Sequence, residues 1–374
     1  MTREPASIAL AAGGTGGHLF SAIALAEALL ARRHRVSVLT DSRGSQFETG
    51  IWVRTVPTAR MTGGLVGKAL GLFRLTAGVA AAAWHLKRDR AGLLVGFGGY
   101  PSVPPVLAAK LLGIPVLLVE QNAVVGRANG RLARFAKLVA TAFPQVEGLG
   151  ATAYRFTGIP VRPAVVAARA TPYRASQHED PFELLVFGGS QGAHVFAEVV
   201  PQACALLPAS LQARLRVTQQ TRPEDEGAVR GAYDALGIAA TVAPFFADLP
   251  ERMAASHLVV ARAGASTVAE VLTIGRPAVL VPYPHAMDDH QTANARAIDS
   301  AGAAWLMPQK ALTPEALAGR LETLLTLPEC AARRAEAARS LGQPDAAEQL
   351  ADLAESILPA AAHAPNAALR SLAS

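Results

Sequence analysis

SIALAAGGTGGHLFSAIALAEALL, residues 7–30, and FELLVFGGSQGAHVFAEVVPQACALL, residues 182–207, carry the same pattern. Each opens with an apolar run, turns through glycines and continues with helical periodicity. Each therefore reads as strand, phosphate-style loop and helix. Further buried-strand patterns fall at 36–40, 93–95, 116–119 and 138–140 in the first half, and at 215–219, 240–243, 258–261 and 278–281 in the second. Helical patterns lie between them. Alternating strands and helices predict parallel sheets with right-handed crossovers. Two strand–loop–helix starts predict two such sheets in tandem, so the fold class is α/β with two Rossmann-like domains.

The length of 374 residues suffices for two such domains with real cores. The joint is expected near 158–177, a stretch holding Pro160, Pro163 and Pro172 and ending in SQHEDP. The division reads as 1–162, 163–343 and a final piece, 344–374, with one helix over 344–358 and a loosely ordered end, AAAHAPNAALRSLAS. An apolar fraction of 51% against 17% charged residues excludes a disordered chain. The formal net charge of +6 suits an anionic partner and selects none among nucleotide, lipid phosphate, membrane surface and nucleic acid. Cys204 and Cys330 lack CxxC spacing and read as free thiols of a reducing compartment. The apolar run at 8–12 is too short for a signal peptide, and the run at 72–86 is too short to span a bilayer. The chain is thus expected to be soluble or peripheral.

The first loop is Gly13-Gly14-Thr15-Gly16-Gly17-His18. Glycines allow a ligand close to the backbone, and the helix behind them offers free N–H groups and a positive dipole end. Asp41, after the second strand, stands where a dinucleotide fold would place its ribose-binding acid. Leu19, however, occupies the position of the third glycine of G-x-G-x-x-G, and no GK[ST] follows, so nicotinamide and P-loop readings fit poorly. His18 would lie at the carboxyl edge of the sheet, where a neutral imidazole can accept a proton from an attacking hydroxyl.

In the second loop, Gly188-Gly189-Ser190-Gln191-Gly192-Ala193, the same physics makes a diphosphate seat with the Ser190 hydroxyl as an extra donor. Arg162, in GIPVRP on the expected linker, is a natural diphosphate partner. In Arg262-Ala263-Gly264-Ala265-Ser266-Thr267-Val268-Ala269-Glu270, the small residues permit close approach. Glu270 could accept two hydrogen bonds from a ribose diol, close a capping box with Ser266 or Thr267, or do both. The cluster His285, Asp288, Asp289 and His290 invites a metal, but neighbouring residues at a helix start do not face one site. Helix-capping acids, with Gln291 as a sugar-hydroxyl ligand, are the preferred reading.

GGTGGH, GFGGYPSVP (96–104), EQNAVVGRAN (120–129), GIPVRP, FGGSQGA, RAGASTVAE and DDHQTANA occur in an order that resembles the bacterial MurG family. These UDP-N-acetylglucosamine (UDP-GlcNAc) transferases convert lipid I to lipid II in peptidoglycan synthesis. The resemblance runs from about residue 9 to 304. Val119 departs from the pattern where histidine is expected, which puts in doubt any role at that position. The family implies a GT-B fold, with the acceptor on the N-terminal domain and UDP-GlcNAc held mostly by the C-terminal one. It implies Thr15, Gly16, Gly17 and Asn122 near the donor sugar and diphosphate, and Arg162 and Ser190 on the diphosphate. It further implies the Phe246 backbone at the uracil edge, the turn Ala265, Ser266, Thr267, Val268, Ala269 and Glu270 around diphosphate and ribose, Gln291 on the N-acetylglucosamine hydroxyls, and His18 as general base.

The implied partners are UDP-GlcNAc, undecaprenyl-linked lipid I and an anionic membrane surface at the cytoplasmic face of the inner membrane. No nucleic acid, cofactor or metal is implied. Residues 63–88, apolar with Lys68, Arg74, Lys87 and Arg88 interspersed, read equally as a membrane-dipping surface or as a core helix. A UDP-GlcNAc 2-epimerase on the same fold is the alternative. It would need no lipid, and the apolar-basic segment and the GFGGYPSVP and EQN motifs argue against it. A non-catalytic membrane scaffold would tolerate loss of His18 and Glu270.

Overall fold

The computed structural model of the protein describes residues 5–13, 16–42, 51–58, 64–177, 179–189 and 192–359. Thr15 and Ser190, both expected to contact the donor, lie outside the described residues, as does the expected loose end, 360–374. The chain divides into two compact units. Residues 1–121, 125–160 and 345–374 form the first, and residues 122–124 and 161–344 the second.

The first unit runs β1 (Ser7–Ala11), α1 (Gly16–Ala31), β2 (Arg35–Thr40), β3 (Trp52–Thr55), α2 (Leu65–Arg88), β4 (Leu93–Gly96), α3 (Val103–Leu111), β5 (Val116–Glu120), α4 (Arg127–Leu132), β6 (Leu138–Thr141) and β7 (Tyr154–Phe156). Its sheet has the order β3-β2-β1-β4-β5-β6-β7, and every pairing is parallel. Parallel strands covered on both faces must be apolar on both, which is why β1, β4 and β5 read as continuous buried runs. Alternate residues divide between two cores. Ile8, Leu10, Val95 and Leu117 pack with Leu25 and Leu29 of α1, while Ala9, Ala11, Leu94 and Leu118 pack with Leu86 of α2 and Val106 of α3. Val119, the departure from the family pattern, is fully buried in the first of these cores, so that position is one of packing.

The second unit runs α5 (Pro163–Ala168), β8 (Phe182–Phe187), α6 (His194–Ala205), α7 (Ala209–Gln212), β9 (Leu215–Gln220), α8 (Glu226–Ala235), β10 (Ala239–Ala243), α9 (Leu249–Ala255), β11 (Leu258–Ala261), α10 (Ala265–Ile274), β12 (Ala278–Leu280), α11 (His290–Ser300), β13 (Trp305–Leu306), α12 (Pro314–Thr326) and α13 (Pro328–Leu341). Its parallel sheet has the order β10-β9-β8-β11-β12-β13. Phe182, Leu184 and Val186 pack with Phe196 and Val200 of α6, Tyr233 of α8 and Leu321 of α12. Cys204 lies in this core, where burial pushes its thiol up to about 12; it and Cys330 are free thiols.

The last helix, α14 (Ala346–Ile357), belongs to the first unit. Its Leu350, Ala354 and Ile357 join the core beside α1. Arg32, just after α1, pairs with Glu348 and, at 2.6 Å, with Asp352, while the His34 ring is 3.0 Å from Glu355. His34 Nδ1 accepts the Ala6 amide, so the nitrogen toward Glu355 is the one that carries hydrogen.

The strands β3, β7 and β13 were not among the sequence expectations. Each is short and stands at a sheet edge, with half-exposed residues and no continuous apolar run. The helix α2, in the segment read either as a membrane-dipping surface or as a core helix, has two faces. Gly71, Gly78, Ala82 and Leu86 are buried, whereas Leu70, Leu72, Phe73 and Trp84 are exposed. A Cβ on Gly78 would lie 2.2 Å from the Pro57 carbonyl oxygen, so glycine is what lets the helix seat there.

Candidate active site

In an open parallel sheet, ligands bind beyond the carboxyl ends of the strands where the winding reverses. In the first unit this switch lies between β1 and β4, because β1 has β2 on one side and β4 on the other. The loops leaving β1 and β4 are GGTGGH and GFGGYP. They are knitted together by Ser102, whose buried hydroxyl lies 2.9 Å from the Ala11 carbonyl and 2.7 Å from that of Gly98. Pro101 covers Gly13, with its Cγ 3.4 Å from where a Cβ would stand. Gly16, Gly17 and His18 begin α1, and the His18 side chain is half-buried. Asp41, in the position of a dinucleotide fold's ribose acid, is buried and accepts the Tyr100 hydroxyl at 3.3 Å.

The EQN motif ends β5. Glu120 is buried and turned inward, accepting the Gly126 amide at 3.0 Å and the Asn129 side-chain amide at 2.9 Å. Asn129 also donates to the Val119 carbonyl and lies against Gly98. Gly98 has φ +82°, and a Cβ there would come within 3.0 Å of the Asn129 amide nitrogen. The acid, the glycine and the asparagine of two motifs thus hold one loop shape, which presents the half-buried Asn122.

In the second unit the winding reverses between β8 and β11. The loop after β8 contains Gly189 and Gly192 at φ +79° and +64°, and a Cβ on Gly188 would stand 2.4 Å from the Ala193 amide. The loop after β11 is Arg262-Ala263-Gly264, leading into α10. Gly264 is the N-cap and makes no side-chain cap bond, so the expected capping box is not formed. The first-turn amides, at Ala265, Ser266 and Thr267, have no carbonyl one turn back and remain for an anion. Val268 has a buried side chain and can offer only its backbone, and Ala269 is half-buried.

Glu270 faces Arg162. The guanidinium reaches one carboxylate oxygen through Nη2 at 3.1 Å and Nε at 3.3 Å, and the Glu270 side chain is only 13% exposed. Burial raises the Glu270 pKa, and Arg162 opposes that rise. Arg162 is held by its own place as N-cap of α5, with Pro163 fixing the first helical turn. Arg262 is scaffold, donating to the Val281 and Pro282 carbonyls and to Gln309.

Phe246 follows β10, at the same carboxyl edge, with the Arg252 guanidinium 4.6 Å above its ring. Gln291, in the first turn of α11, accepts the Tyr283 amide through Oε1 at 2.9 Å. The acids before it do not cap α11 with their side chains. Asp288 and Asp289 take left-handed conformations, and Asp289 accepts the Thr292 hydroxyl instead. No group of three or more metal-ligating side chains occurs among the described residues.

One residue was overlooked in the sequence. Asn294, three positions after Gln291, is fully buried. It donates to the Asn122 side chain at 3.1 Å and to the Ala263 carbonyl at 3.2 Å, and it accepts the Ala123 amide at 2.9 Å. The signal available was a polar residue on the inner stripe of α11, beside the buried Ala295 and Ile298.

Two family models match the chain. One describes the glycosyltransferase family 28 N-terminal domain, over residues 8–141, and the other the C-terminal domain of that family, over residues 183–350. The UDP-N-acetylglucosamine--N-acetylmuramyl-(pentapeptide) pyrophosphoryl-undecaprenol N-acetylglucosamine transferase of Rhodospirillum centenum is 56% identical over 356 residues, 93% of this chain and 93% of its own length. The enzyme of the same name from Paramagnetospirillum magneticum is 50% identical over 368 residues, 96% of this chain and 99% of its own. The crystal structure of Acinetobacter baumannii MurG superposes with a TM-score of 0.78 at 33% identity, covering 94% of this chain and all of that one.

Proposed function

We infer the reaction from the family: the chain belongs to glycosyltransferase family 28, whose two domain models it matches in order. It is a hexosyltransferase of GT-B type. It transfers N-acetylglucosamine from UDP-GlcNAc to the undecaprenyl-pyrophosphoryl N-acetylmuramyl-pentapeptide acceptor, lipid I, and forms lipid II for peptidoglycan. The observation that carries this reading is 56% identity over 93% of the chain to a transferase of that name. The position of both glycine loops at a winding reversal supports it.

In the mechanism we favour, the 4-hydroxyl of the acceptor's N-acetylmuramic acid attacks the anomeric carbon from the face opposite UDP. The C–O bond to the β-phosphate breaks as the new glycosidic bond forms, so the configuration inverts from α to β. His18 takes the hydroxyl proton, a contribution of roughly 10²–10⁴-fold. The charge on departing UDP is met by the amides of the loop after β8 with Ser190, by the first turn of α10 and by Arg162. Glu270 accepts hydrogen bonds from the ribose diol, the Phe246 backbone reads the uracil edge, and the Gln291 amide meets the sugar hydroxyls. Thr15, Gly16, Gly17 and Asn122 complete the donor contacts.

The acceptor is a membrane lipid, and α2 supplies a surface for it. Leu70, Leu72, Phe73 and Trp84 are exposed, Arg74 and Lys87 are exposed among them, and Arg88 stacks 5.0 Å above the Trp84 ring. An apolar face flanked by cations suits the headgroup region of an anionic leaflet. No helix among the described residues is long and apolar enough to cross a membrane. We place the enzyme peripherally on the cytoplasmic face of the inner membrane.

A transfer assay with labelled UDP-GlcNAc and a short-chain lipid I analogue tests the reading. Labelled lipid II is expected. Folded protein that yields none, or that yields only epimerised UDP-sugar, overturns it.

A further inference from the structure

We propose that Asn294 is a positioning residue of the donor site, fixing the carboxamide of Asn122 through its own. The Ala123 N–H can only donate, so the Asn294 atom facing it, 2.9 Å away, is Oδ1. The Asn294 Nδ2 therefore points to the Ala263 carbonyl at 3.2 Å and to Asn122 at 3.1 Å. The Asn122 atom that receives it must be the acceptor, Oδ1. This chain of donors and acceptors determines which way the Asn122 amide faces, with its Oδ1 toward Asn294 and its Nδ2 on the other side.

Asn294 itself has no exposed surface, so it touches no substrate. A carboxamide in the core is costly unless it is bonded, and an apolar residue in its place would leave the Ala123 amide without this acceptor. Its three partners come from two other motifs. Asn122 and Ala123 lie in EQNAVVGRAN, and Ala263 precedes Gly264, the N-cap of α10. One side chain on α11 thereby bonds both the Asn122 amide and the carbonyl that precedes the N-cap of α10.

The inference rests on Asn122 being a donor contact, and a double-mutant cycle separates the two ideas. The variants are Asn122→Ala, Asn294→Ala and the pair, with UDP-GlcNAc Kd measured by calorimetry and KM by transfer to a lipid I analogue. Each single variant is expected to weaken UDP-GlcNAc by about tenfold, with the acceptor KM within about twofold of the parent. In the Asn122→Ala background, loss of Asn294 is expected to cost no more than about twofold further. Unchanged UDP-GlcNAc binding in Asn122→Ala overturns the donor reading and the inference with it. Weakening in Asn122→Ala but not in Asn294→Ala, or fully additive losses, overturns the inference alone. Should Asn294→Ala not fold, the cycle is run with Asn294→Ser, which keeps a polar group too short to reach all three partners and carries the same expectations.

Discussion

Arg162 and Glu270, 108 residues apart in sequence, meet at 3.1 Å through a guanidinium nitrogen and a carboxylate oxygen. Each was expected to serve a different part of the nucleotide, the arginine its diphosphate and the glutamate its ribose. Burial raises the Glu270 pKa, and the Arg162 charge opposes that rise.

The pH dependence of donor binding follows from this pair. In its proposed role Glu270 would accept two hydroxyl hydrogen bonds as a carboxylate, and burial raises its pKa. UDP-GlcNAc affinity is therefore full above that raised pKa and falls as pH drops through it, at a higher pH than an ordinary glutamate would give. In Arg162→Gln the opposing charge is gone, so the fall moves to still higher pH. Calorimetric Kd values across a pH series check this, and a midpoint that moves down in the variant contradicts it.

Removing the proposed base separates chemistry from binding. His18→Ala is expected to lower kcat by roughly 10²–10⁴-fold while leaving UDP-GlcNAc Kd near the parent value. Near-normal turnover would withdraw the role from His18 and leave the donor site intact.

The α2 surface can be tested without touching the catalytic loops. Leu72 and Phe73 are 54% and 69% exposed, so charged replacements there cost the fold little. Leu72→Glu/Phe73→Glu is expected to lose binding to vesicles rich in anionic phospholipid, with transfer to a water-soluble lipid I analogue preserved. Vesicle co-sedimentation unchanged in the double variant argues against this face as the membrane contact.

Gly78 makes the opposite prediction for the buried side of the same helix. An added methyl group meets the Pro57 backbone carbonyl at 2.2 Å, and neither backbone can yield cheaply. Gly78→Ala is expected to destabilise the protein by about 1–3 kcal/mol or more, read as a lower midpoint in urea. An unchanged midpoint would mean that α2 can shift without penalty.

The sequence carried the central strands because a strand covered on both faces must be apolar throughout, as in 7–11 and 258–261. The edge strands β3, β7 and β13, two to four residues long and half-covered, left no such trace, whereas the longer edge strand β10 was legible at 240–243. The glycine loops were legible for a related reason: left-handed backbone at Gly98, Gly189 and Gly192 demands glycine, and the demand is local.

What the sequence by itself determined was the α/β class, the two glycine-loop starts and the residue types of the site. The partnerships were decided only by the tertiary structure. Glu270 pairs with Arg162 instead of closing a capping box, Glu120 braces its own loop, and Asn294 reaches back to Asn122. Strand and turn preferences act over a few neighbouring residues and leave periodic marks. A hydrogen bond between side chains more than 100 positions apart depends on how helices pack, and no local pattern records it.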